Sequence, residues 1–227
     1  MNLSNKGKSF FIDLSVCMGC RGCQIACKEW HELPATDTKQ TGSYENPPDL
    51  NFYTYKTVHF REETVNGRFK WLFFPEQCRH CIYPACKDAA DGYVKGAIVK
   101  DKDTGAVIFN VELLKKVPYE VLITACPYKI PREDKKTGKK SKCDMCIDRV
   151  KDGLEPICVK TCPNGAMHFG DRKDMLALAQ KRLEEVKKDY PNAQLVDSGE
   201  VRVIYLALDN PKLYHKNLAA ETPFRPY

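Results

Sequence analysis

The feature of this sequence that most limits how it can fold is the placement of its twelve cysteines along 227 residues. They are not scattered but fall into four groups, which contain four, three, one and four cysteines in chain order. The groups are Cys17, Cys20, Cys23 and Cys27; Cys78, Cys81 and Cys86; Cys126; and Cys143, Cys146, Cys158 and Cys162. So many thiols in so short a chain require a fold that binds them together, through metal ions or disulfides.

The spacing within the groups favours iron–sulfur clusters. The first group is spaced C-x2-C-x2-C-x3-C, and Cys126 and Cys162 are each followed by proline, which is the pattern of bacterial [4Fe–4S] ferredoxins. In that pattern the fourth cysteine of a run binds the neighbouring cluster rather than its own. Because twelve is three times four, the count allows three complete [4Fe–4S] clusters with no thiol left over.

Structural zinc and disulfides are the alternatives. Zinc sites also use C-x2-C pairs, but zinc does not explain a ligand at every third or fourth residue from Cys17 to Cys27. Disulfide frameworks are typical of short secreted chains with a signal peptide. This chain begins MNLSNKGKSFFIDLS, which contains no apolar stretch of the signal-peptide kind.

The charge of the chain is explained by the same clusters. Its formal net charge is +6. An oxidised cluster with four thiolates carries about −2, so three clusters bring the loaded protein close to neutral. The basic balance therefore needs no nucleic-acid partner, and we expect none. No window approaches the roughly 18 apolar residues of a membrane span, so we expect no span of its own in this chain.

We predict an α+β fold with two ferredoxin-like lobes, each built from cysteine motifs that are not adjacent in the sequence. Periodicity and turn signals predict strands at 8–13, 53–65, 67–74, 97–100, 106–109 and 201–208 and helices at 21–33 and 174–190. Asn66-Gly67 predicts a hairpin turn. We expect loops at 34–51 and in the charged stretch 131–142, and no regular element after 208.

The order of the cysteine motifs, with the segments TACPYKIPRE and SKCDMCIDRVKDGLEPICVKTCPNGAM, resembles the iron–sulfur (β) subunit of molybdenum- or tungsten-pterin oxidoreductases over about residues 9–170. That family pairs its first cysteine motif with its last, and its two middle motifs with each other. The resemblance therefore implies three ligand sets. Set 1 is Cys17, Cys20, Cys23 and Cys162; set 2 is Cys27, Cys143, Cys146 and Cys158; set 3 is Cys78, Cys81, Cys86 and Cys126.

The same pairing implies the division of the chain into domains. Residues 1–33 together with 140–172 would form a ferredoxin-like lobe with two clusters, and residues 76–132 a second lobe with one. Residues 34–75 would be a loop and β-hairpin insertion. Residues 173–227 would supply a C-terminal helix, a strand and a tail that contacts a partner.

Members of the family usually hold four clusters, and this chain departs from that pattern. At the four remaining ligand positions it has no cysteine; they hold Ala90, Lys116, Tyr119 and Leu122. Under the crossed pairing these four positions would all ligate one cluster, and Cys126, which would ligate the neighbouring cluster, is retained. We therefore predict that one cluster is absent as a whole and that three [4Fe–4S] clusters are the cofactors.

A chain with several clusters and no evident catalytic residues is predicted to be an electron relay rather than an enzyme by itself. The three-cluster pattern is similar to the small subunit of the periplasmic formate dehydrogenases of sulfate-reducing bacteria. That resemblance implies a large catalytic subunit that oxidises formate to CO2 at a tungsten or molybdenum bis-pterin cofactor, and a multihaem c-type cytochrome as acceptor. It also implies a heterodimer of anaerobic respiration in the periplasm, to which this chain, without a signal peptide, is exported with its partner.

Two other functions stay open at this point. The chain could serve another pterin oxidoreductase, such as a sulfur-compound reductase, because the substrate is determined by the catalytic partner. It could also be a free polyferredoxin. Against that function stand its basic charge and the long segments 34–75 and 171–227, which bury nothing obvious around the clusters and so favour a permanent partner.

Several residues beside the cysteines invite separate expectations. His80, inside the second group, is expected to have a packing or hydrogen-bonding role. Three cations lie next to cysteines in the sequence. They could raise the reduction potentials of the clusters by their charge or lie solvated at the surface, and the sequence favours neither role: Lys28, Arg79 and Lys160. Three aromatic side chains are expected in the core rather than in an electron path: Trp30, Trp71 and Phe74.

Overall fold

A computed structural model describes residues 6–221, and within this range the chain forms ten strands and eight helices. In chain order they are β1 (Lys8–Asp13), α1 (Gly22–Trp30), β2 (Thr57–Val65), β3 (Arg68–Glu76), α2 (Ala85–Asp91), β4 (Ile98–Lys100), β5 (Val107–Phe109), α3 (Val111–Leu114), α4 (Tyr119–Ala125), β6 (Arg132–Asp134), β7 (Lys139–Ser141), α5 (Ile147–Lys151), α6 (Ile157–Lys160), β8 (Met167–Asp171), α7 (Arg172–Val186), β9 (Gln194–Val196), β10 (Val203–Ala207) and α8 (Pro211–Tyr214). The mixture of helices and strands fits the predicted α+β class.

The largest sheet has four strands in the order β8-β1-β10-β9. The central strands β1 and β10 run parallel, and both are buried almost throughout, as expected for strands covered on two faces. Because side chains alternate along a strand, Phe10 and Ile12 face one way and Phe11 the other. Phe11 packs with helix α7, whereas Phe10 and Ile12 belong to the cluster that contains Cys23 and Cys158. One face of the sheet therefore packs against the cluster that contains Cys23 and Cys158.

The segment between the first two cysteine groups ends in a long hairpin. Strands β2 and β3 pair over nine residues each, and the predicted turn at Asn66-Gly67 is confirmed, with φ of 51° and 73°. Positive φ at both turn residues suits the right-handed twist of the two strands. Leu72 and Phe74 point into the core.

Two expectations about aromatic residues were wrong. Trp71 lies on the outer face of the hairpin and is 47% exposed, and Trp30 is 41% exposed. Trp71 packs on the neighbouring rings of Tyr44, Phe60 and Phe73, so its contacts lie on the outer face of the hairpin rather than in the core. Phe74 is fully buried, as expected.

The charged stretch 131–142 is not the surface loop that composition predicted. It forms the hairpin β6–β7, and its end is buried, with Lys140 3% and Lys142 6% exposed. Lys140 is buried because its ammonium pairs with Glu133 at 3.1 Å and donates to the Gly138 carbonyl. Lys142 donates to the carbonyls of Val107 and Cys143.

The long segments outside the cysteine groups are also more buried than expected. The prediction that they bury nothing obvious around the cysteines was wrong, because side chains of β2 and β10, among them Val58 and Tyr205, belong to the buried cluster that contains Cys23 and Cys158. The strand predicted at 201–208 is confirmed as β10. After it the chain forms α8, and the last part of the predicted tail, 222–227, lies outside the described residues. Within the described range, no helix combines the length and the apolar side chains that a membrane crossing needs.

Candidate metal centres

The structure brings cysteines together around two cavities, and the four thiols of set 2 lie near one another and near both other sets. Set 1 lines one cavity and set 3 lines another. The thiols of set 2 lie close enough to raise one another's pKa, after the larger effect of burial; those named are Cys27, Cys143, Cys146 and Cys158. That each set holds a cluster stays a prediction at this point.

A shared backbone turn follows the first cysteine of the first, second and fourth groups. Two residues after Cys17, Cys78 and Cys143 the chain adopts a left-handed conformation, with φ of 66° at Gly19, 47° at His80 and 71° at Met145. The turn directs a backbone N–H at the sulfur: those of His80 and Met145 donate to the preceding Sγ at 3.4 Å. Left-handed φ is uncommon for residues other than glycine, so the sulfur contact is a reason for this strained turn.

Helix α1 links set 1 to set 2. Cys23 and Cys27 are four residues apart, so they lie on the same buried face of the helix, one turn from each other. Cys23 belongs to set 1 and Cys27 to set 2. Helix α6 does the same in reverse, because Cys158 within it belongs to set 2 and Cys162 after it belongs to set 1.

The chemistry of the donors fits a metal cluster. All twelve cysteines are free thiols, which does not support a disulfide framework, and Cys20 alone among them is exposed. Burial raises the pKa of Cys23 and Cys146 to about 12 each, so without a metal these groups would stay protonated at neutral pH. Metal binding requires the thiolate, and four thiolates around one cavity select zinc or an iron–sulfur cluster.

Cationic side chains surround these thiols. Arg79 is 2% exposed and lies among the rings of Phe74, Tyr128 and Tyr205, with its guanidinium carbon 4.8 to 5.1 Å from the ring centroids. It also donates to the Asn217 carbonyl at 2.8 Å, so it is not a surface charge. The other two cations considered from the sequence, Lys28 and Lys160, are less buried than Arg79.

Lys28 donates to the Tyr53 carbonyl at 2.7 Å, and Lys160 is exposed. The hydrogen-bonding role expected of His80 is confirmed, since its Nδ1 accepts from the Val107 N–H at 3.0 Å.

The four positions without cysteine form no metal site. Ala90 and Leu122 are fully buried in an apolar cluster with residues of β4, β5 and α3. The Tyr119 hydroxyl donates to the Pro131 carbonyl at 3.1 Å, and Lys116 is exposed. The space between α2 and α4 is therefore filled by hydrocarbon packing.

One buried polar group was missed by the sequence. His59 lies between two carboxylates, with Nδ1 2.9 Å from Glu45 and Nε2 2.9 Å from Glu76, and His215 stacks on it at 4.1 Å. Burial disfavours the charged imidazole, but the two carboxylates outweigh it and raise the pKa of His59 to about 9. The two rings are parallel within 7°, so their in-plane nitrogen lone pairs do not converge on one ion. This group is a buried ion network rather than a metal site.

Comparison with known proteins gives consistent results. A family model described as a 4Fe-4S dicluster domain matches residues 69–172. The chain is 52% identical over 213 residues to the formate dehydrogenase subunit beta of Megalodesulfovibrio gigas, which covers 94% of this chain and 99% of the relative. It is 53% identical over 212 residues to the formate dehydrogenase 2 subunit beta (cytochrome c-553) of Nitratidesulfovibrio vulgaris, with 92% and 97% covered.

A more distant relative is the iron-sulfur subunit of the nitrate-inducible formate dehydrogenase of Escherichia coli. It is 39% identical over 210 residues, which are 90% of this chain and 70% of the relative.

The apolar packing at the position of the absent cluster can be tested by shortening Leu122. We expect Leu122→Ala to destabilise the protein by about 2–5 kcal/mol because it opens a cavity in a filled core, and to leave the iron content unchanged. Ile123→Ala, one position along and only half-buried, is the matched control and should cost less. Thermal unfolding and iron analysis of the purified complex measure both; loss of about four irons with Leu122→Ala would contradict this description.

Proposed function

Because this chain belongs to the family of formate dehydrogenase β subunits, the electron-transfer subunits of an oxidoreductase complex, we propose that it relays electrons from formate oxidation through three [4Fe–4S] clusters. The observation that carries the proposal is that twelve thiols lie close together in three sets of four. Eleven of these thiols are buried or half-buried, and Cys20 is exposed. When bound, such clusters supply one-electron transfer.

In this proposal the ligands are those of sets 1, 2 and 3. Residues 1–33 and 140–172 form the lobe that carries sets 1 and 2, and residues 76–132 form the lobe that carries set 3. The crossing of Cys27 and Cys162 between sets supports the first lobe, because it joins two segments far apart in the sequence. The apolar filling around Ala90 and Leu122 supports a single set in the second lobe.

The adjacency of the sets supports a linear order. Cys23 of set 1 and Cys158 of set 2 belong to the same buried cluster. Cys143 of set 2 and Cys78 of set 3 belong to another buried cluster. Set 2 therefore lies between the other two sets, and sets 1 and 3 are the two ends of the proposed electron-transfer path.

The partners follow from the family. We propose a large catalytic subunit with a molybdenum or tungsten bis-pterin cofactor, with which this chain forms a heterodimer, and a c-type cytochrome as the acceptor. The cytochrome is supported by the name of the Nitratidesulfovibrio vulgaris relative, which includes cytochrome c-553. We further propose that the complex works in anaerobic respiration in the periplasm, the location implied by the resemblance.

Formate should reduce the signals of this chain in the intact complex. EPR spectra of the anaerobically purified complex are recorded as isolated, after formate and after dithionite. We expect formate and dithionite to produce the same reduced-cluster signals, because the catalytic subunit feeds the relay. Reduction by dithionite but not by formate would contradict the proposal and would favour a subunit of another pterin oxidoreductase.

The crossed ligand sets can be tested with single Cys→Ser variants. We expect Cys23→Ser and Cys162→Ser to alter one EPR signal, and Cys27→Ser and Cys146→Ser to alter a different one. Cys23 and Cys27 lie on the same buried face of α1 and serve as each other's matched control. If both of these variants altered the same signal while Cys162→Ser altered another, the proposed sets would be wrong.

A further inference from the structure

A lysine lies in the interior between the cysteine sets. Lys56 directly precedes β2 and is 2% exposed. In the β2–β3 hairpin Thr57 is opposite Glu76, so Lys56 comes opposite Gln77, and its ammonium donates to the Gln77 side-chain oxygen. An antiparallel register therefore fixes where this charge lies.

The start of β2 is tied to the helix that carries two of the thiols. The side-chain oxygen of Gln24, on α1 next to Cys23, accepts from the Val58 N–H at 3.1 Å and lies 3.4 Å from the Thr57 hydroxyl. Gln24 is itself 6% exposed. These contacts hold Lys56 beside the helix on which Cys23 and Cys27 lie.

The geometry places Lys56 close to cysteines of sets 1 and 2. Val58, two residues after Lys56, belongs to the buried cluster that contains Cys23 and Cys158, and it lines the cavity of set 1. Burial alone would lower the pKa of Lys56, because the charged form loses its hydration. Once the cysteines bind a metal as thiolates, their negative charge outweighs the burial and raises the pKa of Lys56 above its ordinary value; its named neighbours are Cys158, Cys23, Tyr205 and Cys143. The cysteines among them come from both set 1 and set 2.

The charge of Lys56 also affects the thiols of sets 1 and 2, because it favours their ionised form. Lys56 lowers the pKa of Cys23 and of Cys158, where it is the first cation to act against burial. It acts in the same direction on Cys17 and Cys27. In set 3 it is Arg79 that acts to lower the pKa of Cys81 and Cys126, and Lys142 that acts to lower the pKa of Cys86.

We propose that Lys56 is a positioning residue of the relay, whose fixed charge raises the reduction potentials at sets 1 and 2 together and leaves set 3 to Arg79 and Lys142. This inference rests on the proposed function. Reduction adds one negative charge to a site, and a nearby positive charge stabilises the reduced form more than the oxidised form. Lys56 itself gains and loses neither an electron nor a proton. The electrons enter one at a time, two for each formate that becomes CO2 and a proton.

The test is a potentiometric titration followed by EPR on the intact complex with Lys56→Met, which keeps the length of the side chain and removes its charge. At a fixed potential we expect the ratio of reduced to oxidised form at sets 1 and 2 to fall at least tenfold, which is a shift of 59 mV for a one-electron couple. The signal of set 3 should shift by less and is an internal control.

Two further variants separate charge from packing. Lys140→Met removes an equally buried lysine that pairs with Glu133 rather than with thiols, and should leave all potentials unchanged. Lys56→Arg keeps the charge and should keep the potentials of sets 1 and 2 near those of the unmodified protein. If Lys56→Met shifts no potential, or shifts all three sets equally, the inference is overturned.

Loss of iron is also decisive. If Lys56→Met fails to hold about twelve irons but Lys56→Arg holds them with unchanged potentials, the charge is what the site requires. Equal loss of iron in both variants would assign Lys56 a packing role and overturn the inference. Because the titration uses chemical mediators rather than formate, its result is independent of whether formate is the substrate of the partner.

Discussion

The rest of the structure depends on the burial of thiols that must become charged to bind a metal. Eleven of the twelve cysteines are buried or half-buried, and burial raises their pKa wherever a shift is resolved. Such groups are stable as thiolates only beside positive charge, from bound metal or from buried cations. The backbone turns that aim N–H groups at Cys78 and Cys143, and the interior positions of Lys56 and Arg79, meet the same need.

The proposed crossing of ligands between segments would join parts of the chain that are far apart in the sequence. Cys27 lies with residues more than a hundred positions later in the chain, and Cys162 lies with the first group. Helices α1 and α6 contact each other, and both contribute to the buried cluster that also contains apolar side chains of β1 and β10. The C-terminal strand β10 and the β2–β3 hairpin complete this core, so segments without cysteines are integral to the part of the protein that holds them.

Sequence reasoning reached the elements whose signals are local. The strand Lys8–Asp13, the turn at Asn66-Gly67 and the strand around Val203–Ala207 follow from runs of apolar residues and from turn chemistry. The cysteine sets were predicted from spacing together with the resemblance, and the structure places the cysteines of set 1 around one cavity and those of set 3 around another. The α+β class needed only the mixture of helical and strand patterns.

What the sequence could not reveal depends on contacts between distant residues. Lys56 and Lys140 resemble solvated lysines, because nothing in their neighbourhood announces the thiols or the carboxylate that hold their charge. His59 belongs to an ion network because the fold places Glu45, from the segment before the hairpin, and Glu76, on the opposite strand, on either side of its ring. Trp71 lies outward because the hairpin extends beyond the core, which a period of two cannot specify.

The central claim is that this chain holds three clusters and no fourth. Native mass spectrometry of the complex, with release of this subunit, measures it directly against the 25.9 kDa of the bare chain. The account predicts an additional mass of about 1.1 kDa, from about twelve irons and twelve sulfides. A gain of about 1.4 kDa, which corresponds to four clusters, or of about 0.7 kDa, which corresponds to two, would contradict it.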